Sequence, residues 1–154
     1  MFVCLGNICR SPMAEAILAH KVSQQNLSEF QTESCGTAGY QIGEAPDYRT
    51  IAVAEKHGVP INHKAQQLKP SHFDEFDYLM VMDQSNKQNA LKVAHSTSEY
   101  ELFLMRDFDT KDNGSEVADP WYGDSSDFEM CYQTLDRCIS EFIHFLVEKH
   151  KRSV

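Results

Sequence analysis

Cys4, Gly6, Asn7, Cys9, Arg10 and Ser11 all fall within one ten-residue stretch, VCLGNICRSP, at residues 3–12. As a strand-to-helix turn, this stretch lets the backbone N–H groups of Leu5, Gly6, Asn7, Ile8, Cys9 and Arg10 converge on one point. The helix that follows adds the positive end of its dipole. Such a nest binds oxyanions. Arg10 brings a planar fork that takes two phosphate oxygens at once. Gly6 permits backbone angles that other residues resist, and Asn7 accepts a left-handed conformation. Cys4 lies at the base of the nest, where the dipoles and Arg10 favour its thiolate. A thiolate facing phosphorus is a nucleophile, and the product of its attack is a phosphocysteine. The other reading of the same residues is a structural turn with a buried thiol. No Gly-Lys-Ser/Thr follows, so nucleotide binding is not implied.

Ester cleavage also needs an acid for the leaving group. Asp119 is the candidate, with Pro120 stiffening its backbone and Trp121 and Tyr122 beside it as a wall for an aryl group. It sits in a stretch without periodicity, Asp107 to Asp124. Structureless loops of this length are usually functional or disordered, and two large aromatics fit disorder poorly.

The elements that must position these groups follow from the hydrophobic pattern. Phe2-Val3 ends a short strand, and Ser11-Pro12 starts a helix with a capping hydroxyl. Met13, Ile17, Leu18 and Val22 form that helix's apolar stripe. Phe30 to Thr37 is strand-like. Asp47 caps a helix that runs to His57, where Gly58 and Pro60 stop it. Tyr78 to Met82 is a continuous apolar run ending at Asp83, as in a strand buried on both faces. Asn86 to Val93 is a helix and Leu102 to Met105 a fourth strand. Ser126 to Glu129 forms a capping box for a last helix, whose stripe is Phe128, Tyr132, Leu135, Ile139, Phe142 and Leu146. Strands alternating with helices predict an α/β fold, a doubly wound parallel sheet with ligands at the carboxyl ends of its strands.

The 154 residues suit a single domain, 1–154, with no internal repeat or linker. Apolar residues make up 42% and charged residues 24%, and the net charge is −9. That charge argues against nucleic-acid and anionic-membrane partners, so an anion must be caught by a local device. No apolar run is long enough for a membrane span, and no signal segment precedes Cys4. The five cysteines match no zinc spacing and suit a reducing, cytoplasmic setting. No metal or other cofactor is expected. Cys131 and Cys138 lie beside the last helix's stripe and read as core thiols.

The chain resembles the low-molecular-weight protein tyrosine phosphatases. The resemblance is carried by VCLGNICRSP, PDYR at 46–49, HGVPINHKAQQ at 57–67, FDYLMVMDQSN at 76–86 and DPWYG at 119–123, in the family's order over essentially the whole chain. It implies a four-stranded parallel sheet of the flavodoxin-like kind, and hydrolysis of phosphotyrosine and aryl phosphates without metal. It implies Cys4 as nucleophile, Arg10 as phosphate clamp, and Asp119 as general acid and then base. Ser11 matches a hydroxyl that bonds the nucleophilic sulfur, and Asn7, Ser34 and His63 match a network supporting the loop. By itself His63 reads as a surface or core histidine. Leu5, Ile8, Tyr40, Trp121 and Tyr122 match the cleft walls, and Cys9 a thiol that protects Cys4 by forming a disulfide. The implied partners are phosphotyrosine proteins, with phosphate and other oxyanions as inhibitors and a monomeric state. Trp121 stands where the family commonly has tyrosine, which makes the rim bulkier. The family usually has a few more residues before the nucleophile, so the first strand is expected to be meagre. Cys35 stands where small residues are usual.

Two other readings remain. One is arsenate reductase on the same fold, which passes electrons through further cysteines; Cys131 and Cys138, seven apart on one helix, do not look like a mobile resolving pair. The other is an inactive phosphoprotein-binding module, against which the set Cys4, Arg10 and Asp119 speaks.

Overall fold

The computed structural model describes residues 1–95 and 97–151. Four strands make one parallel sheet: β1 Phe2–Cys4, β2 Ser34–Gly36, β3 Tyr78–Val81 and β4 Glu101–Leu104. The spatial order is β2-β1-β3-β4. The chain leaves β1 towards one edge and builds β3 and β4 on the other side. The switch point therefore lies between β1 and β3, where the stretch after Cys4 and the residue Asp83 emerge side by side.

The helices are α1 Arg10–Gln24, α2 Tyr48–Lys56, α3 His72–Glu75, α4 Gln84–Leu91 and α5 Ser125–Lys149, with 3-10 turns at Met105–Phe108 and Pro120–Tyr122. Side chains alternate across a strand. Phe2, Cys4 and Met80 accordingly face a core made with Met13, Ile17, Val53, Leu135 and Ile139 of α1, α2 and α5. Val3, Cys35, Leu79 and Val81 face the opposite core, with Phe73 of α3 and Ala90 of α4. Both faces are covered, which is why β3 reads as an unbroken apolar run. Leu135 and Ile139 are fully buried, and truncating either to alanine costs about 2–5 kcal/mol.

The predicted boundaries shift for identifiable reasons. The second strand covers only Ser34–Gly36 of the expected 30–37, because Phe2 pairs with Ser34 and the ladder ends with its partner. Helix α1 begins at Arg10, so Ser11 lies inside it and is no cap; Cys9 occupies that place without a side-chain bond. Asp47 does cap α2, accepting from Arg49 N. Asp83 caps α4 by accepting from Asn86 N at 2.7 Å, so that helix starts two residues before the predicted Asn86. The last helix is capped by Asp124 rather than Ser126: Asp124 accepts from Ser126 N, and Asp127 accepts from Asp124 N at 2.9 Å. Helix α3 escaped the pattern because a single turn carries no period.

The aperiodic stretch 107–124 is held along its length. Asp109 is buried, and its carboxylate accepts from Arg137 at 2.8 and 3.0 Å and from Arg106 at 2.8 Å. Gly114 N donates to Arg106 O, and Val117 N donates to Met82 O at the end of β3. These bonds bring the Asp119 segment back over the carboxyl edge of the sheet.

Candidate active site

The loop from Cys4 to Arg10 turns its carbonyls outward. Cys4 O accepts from Thr37 N, Leu5 O from Ala38 N, and Ile8 O from Asp47 N at 2.8 Å. Among the described residues, the N–H groups of Leu5 to Cys9 have no hydrogen-bond acceptor. Donors that are not spent on the protein and that share one concave face are what an oxyanion needs. Cys4 is buried at the base of this face, and α1 points its amino end at it. Gly6 does not use the freedom expected of it: the left-handed residue is Asn7, at φ 59°. The glycine that the loop does require is Gly36. A Cβ there would lie 2.6 Å from Leu5 O, so β2 can lie against the loop only without a side chain.

Asn7 is fully buried and turns its amide into the scaffold. Its Nδ2 donates to Ser11 Oγ at 2.8 Å and to Ser34 Oγ at 2.9 Å. Its Oδ1 accepts from Gln66 N at 2.9 Å and from His63 Nε2 at 2.8 Å. All four hydrogen-bonding positions of the amide are used, so one side chain locks the strained residue of the loop. The Ser11 hydroxyl, already accepting from Asn7, has its own hydrogen for Cys4 Sγ at 2.9 Å or Cys35 O at 3.3 Å. Ser34 Oγ donates to Glu15 Oε1 at 2.6 Å, and His63 Nδ1 stands 3.3 Å from the same oxygen. Burial pushes the His63 ring below its ordinary value and the Glu15 carboxyl above its own. Both shifts favour the uncharged forms.

Arg10 is buried, with 3% of its side chain exposed. Its Nη1 donates to Asp83 Oδ2 at 2.8 Å and to Val117 O at 2.9 Å. Those two acceptors fix the plane of the guanidinium and leave the Nε and Nη2 positions for a ligand. Asp119 stands across the opening, its Oδ2 3.7 Å from Arg10 Nη2. Its other oxygen accepts from Trp121 N at 3.1 Å and caps the 3-10 turn, so the carboxylate is oriented by its own segment. The cleft between them is about 230 Å³ in volume and reaches from Cys4 to Tyr40, Trp121 and Tyr122. Tyr122 is 93% exposed and Tyr40 65%, which makes them rim rather than wall; Ile8 is buried below them. Among the described residues no cluster of three or more His, Cys, Asp or Glu is placed to hold a metal ion.

The residues singled out in the sequence thus fall into one neighbourhood. Cys4, Leu5, Gly6, Ile8, Cys9, Arg10, Tyr40, Asp119, Trp121 and Tyr122 line the cleft, while Asn7, Ser11, Ser34 and His63 lie behind the loop. Sequence reasoning missed Glu15, Gln66 and the Val117 carbonyl. Glu15 has a signal in retrospect: it lies four residues after Ser11, on the same helix face. Asp83 was placed at the sheet's carboxyl edge without a role, and here it holds Arg10.

An α/β sheet with a thiol seated in an oxyanion-receptive loop at its switch point is the class that fold and site define. The comparisons narrow it. Residues 1–152 match the family described as low molecular weight phosphotyrosine protein phosphatase. The protein of that name from Saccharomyces cerevisiae is 44% identical over 146 residues, covering 92% of this chain and 91% of its own. The human one is 40% identical, covering 93% and 92%. A crystal structure of a protein tyrosine phosphatase from Entamoeba histolytica superposes with a TM-score of 0.90 at 34% identity, covering 96% of each chain. The chain belongs to the low molecular weight phosphotyrosine protein phosphatase family.

Proposed function

We propose that residues 1–154 form one domain that hydrolyses phosphotyrosine in proteins, and aryl phosphates generally, without metal and through a phosphocysteine. The observation that carries this reading is the set of unspent N–H groups around Cys4, faced by the open edge of Arg10 and by Asp119. In the first step the Cys4 thiolate attacks phosphorus. The S–P bond forms, the P–O bond to the aryl group breaks, and Asp119 gives its proton to the departing phenolate. The loop N–H groups and Arg10 carry the charge on the three equatorial oxygens. In the second step Asp119 takes a proton from water, the water oxygen attacks phosphorus, and Cys4 leaves as thiolate, stabilised by the Ser11 hydroxyl. Asn7, Ser34 and His63 hold the loop and touch no reacting atom.

The depth of the nest supports selectivity for tyrosine. Cys4 is 3% exposed and the aromatic rim stands above it. A phosphoserine ester holds its phosphate too near its own backbone to reach that far. The other cysteines give no support to the arsenate reductase reading. Cys131 and Cys138 are buried on α5, and burial pushes both thiols up to about 12. Burial also raises Cys9 well above its ordinary value, so it is its place beside Cys4 in the lining of one cleft, not an activated thiolate, that suits it to capture oxidised Cys4 as a disulfide. A cytoplasmic, monomeric enzyme inhibited by phosphate and other oxyanions completes the reading. Among the described residues no helix is long and apolar enough to cross a membrane.

The test is hydrolysis of p-nitrophenyl phosphate in the presence of a chelator, followed by matched phosphotyrosine and phosphoserine peptides. Turnover that survives chelation, is lost in Cys4→Ser and strongly prefers phosphotyrosine is expected. Equal kcat/KM for the two peptides would remove the tyrosine assignment.

A further inference from the structure

We propose that Arg49 is a positioning residue, a latch that ties the Asp119 segment to the phosphate-binding loop. The proposal rests on Asp119 being the proton donor. Arg49 lies in the first turn of α2. Its Nε donates to Asp47 Oδ1 and its Nη2 to Asp47 Oδ2, both at 3.0 Å, a fork-on-carboxylate pair. The remaining donors cross to the Asp119 segment, Nη2 to Trp121 O at 3.1 Å and Nη1 to Gly123 O at 3.2 Å. The guanidinium also lies 4.4 Å from the centre of the Phe128 ring and 5.7 Å from that of Trp121.

The other end of the strut is the catalytic loop itself. The Asp47 side chain is only 6% exposed, and Asp47 N donates to Ile8 O at 2.8 Å. An unbroken path therefore runs from the Ile8 carbonyl through Asp47 and Arg49 to the carbonyls of Trp121 and Gly123. Asp119 is joined to the same peptide units, since its Oδ1 accepts from Trp121 N. One residue thus has its N–H bonded to the acid and its carbonyl bonded to the latch. Among the described residues, the hydrogen bonds from segment 118–123 to the rest of the chain are those of Arg49; the 3.7 Å contact between Arg10 and Asp119 is the one other polar tie. Lysine cannot repeat this, because a single ammonium does not span a carboxylate and two carbonyls in one plane.

Losing the latch leaves the nucleophile and phosphate clamp intact and lets the acid wander. A misplacement of about 1 Å costs up to about 10²-fold in rate. The experiment compares Arg49→Ala, Arg49→Lys, Asp119→Ala and the double variant Arg49→Ala/Asp119→Ala on a series of aryl phosphates of graded leaving-group pKa. Arg49→Ala is expected to lower kcat by about 10- to 10²-fold for phenyl phosphate and to approach wild type for the most acidic phenols. It should add nothing in the Asp119→Ala background, with Arg49→Lys in between. Trp121 is the only tryptophan, so acrylamide quenching of its fluorescence reads the segment directly and should rise in Arg49→Ala. Melting curves of both Arg49 variants exclude global unfolding as the cause. A loss equal for all leaving groups, a loss that adds to that of Asp119→Ala, or unchanged quenching overturns the latch. If Asp119→Ala itself lacks leaving-group dependence, the acid assignment falls and the latch with it. If Asp119→Ala shows the dependence and Arg49→Ala does not, the acid stands and only the latch is refuted.

Discussion

Replacing Asn7 with alanine removes the side chain that closes the support behind the loop from Cys4 to Arg10. Four hydrogen bonds disappear: those to Ser11, Ser34, His63 and the Gln66 N–H. Each is worth about 1 kcal/mol net, and a buried donor left without a partner costs somewhat more. Alanine must also take the left-handed angle, φ 59°, at about 1–2 kcal/mol. Water entering the vacated space returns part of this, so the expected loss is about 3–5 kcal/mol. That is a large share of the about 5–15 kcal/mol that holds a domain folded. Asn7→Gly loses the same bonds without the angle cost and should be about 1 kcal/mol more stable than Asn7→Ala. Urea unfolding at unchanged m-value measures both. The activity of Asn7→Ala should fall with its stability, because the N–H groups no longer converge. A loss below about 1 kcal/mol, or a glycine variant no better than the alanine one, refutes the account of Asn7 as the lock of the loop.

Other perturbations address separate links. Asp119→Ala should lower kcat by roughly 10²–10⁴ for phosphotyrosine and by much less for acidic phenols; a flat response across leaving groups would remove it from the acid role. Gly36→Ala drives a methyl to 2.6 Å from Leu5 O, so it should cost about 1–3 kcal/mol and most of the activity, checked by thermal melting and turnover together. Hydrogen bonds from Arg137, assisted by Arg106, hold the Asp109 carboxyl far below its ordinary value. Its contribution is therefore complete above the unfolded carboxyl range, near about pH 4, and is lost as the pH falls towards the folded value. Asp109→Asn should cost about 3 kcal/mol at neutral pH and much less in strong acid, by denaturant titration at two pH values. Peroxide should inactivate the wild type and dithiothreitol restore it, while Cys9→Ser recovers poorly; full recovery of that variant, or a mapped bridge to Cys35, would deny Cys9 its protective role.

The nest, with its thiol and its arginine, was legible because a strand-to-helix turn concentrates chemistry within a few consecutive residues. The sheet was legible from apolar runs and the helices from their periods. What escaped depends on contacts between distant segments. By its own position Ser11 reads as a helix cap; the bond to Cys4 was implied by the resemblance alone, and the folded loop shows the hydroxyl turned back to Cys4 and Asn7. Gly36 looked like an ordinary strand residue until the Leu5 carbonyl came to lie against it. Glu15 carries no motif, and Gln66 lies in the HGVPINHKAQQ run with nothing to mark its role; Glu15 matters through Ser34 and His63, and Gln66 through its N–H to Asn7 and its Nε2 to Ser34 O. The stretch from Asp107 to Asp124 has no period because its order comes from Arg106, Arg137, Met82 and Arg49, all outside it.

The mechanism proposed above requires the phosphoryl group to pass through Cys4. Rapid mixing with a radiolabelled aryl phosphate, acid quenching and peptide mapping test it directly. Asp119→Ala is a useful second sample, since the loss of the base proposed for the second step should prolong the intermediate. One labelled phosphoryl group per active chain is expected, on the peptide that holds Cys4, absent in Cys4→Ser and formed without metal. Label on any other residue, or turnover with no trapped intermediate in either form of the enzyme, would contradict it.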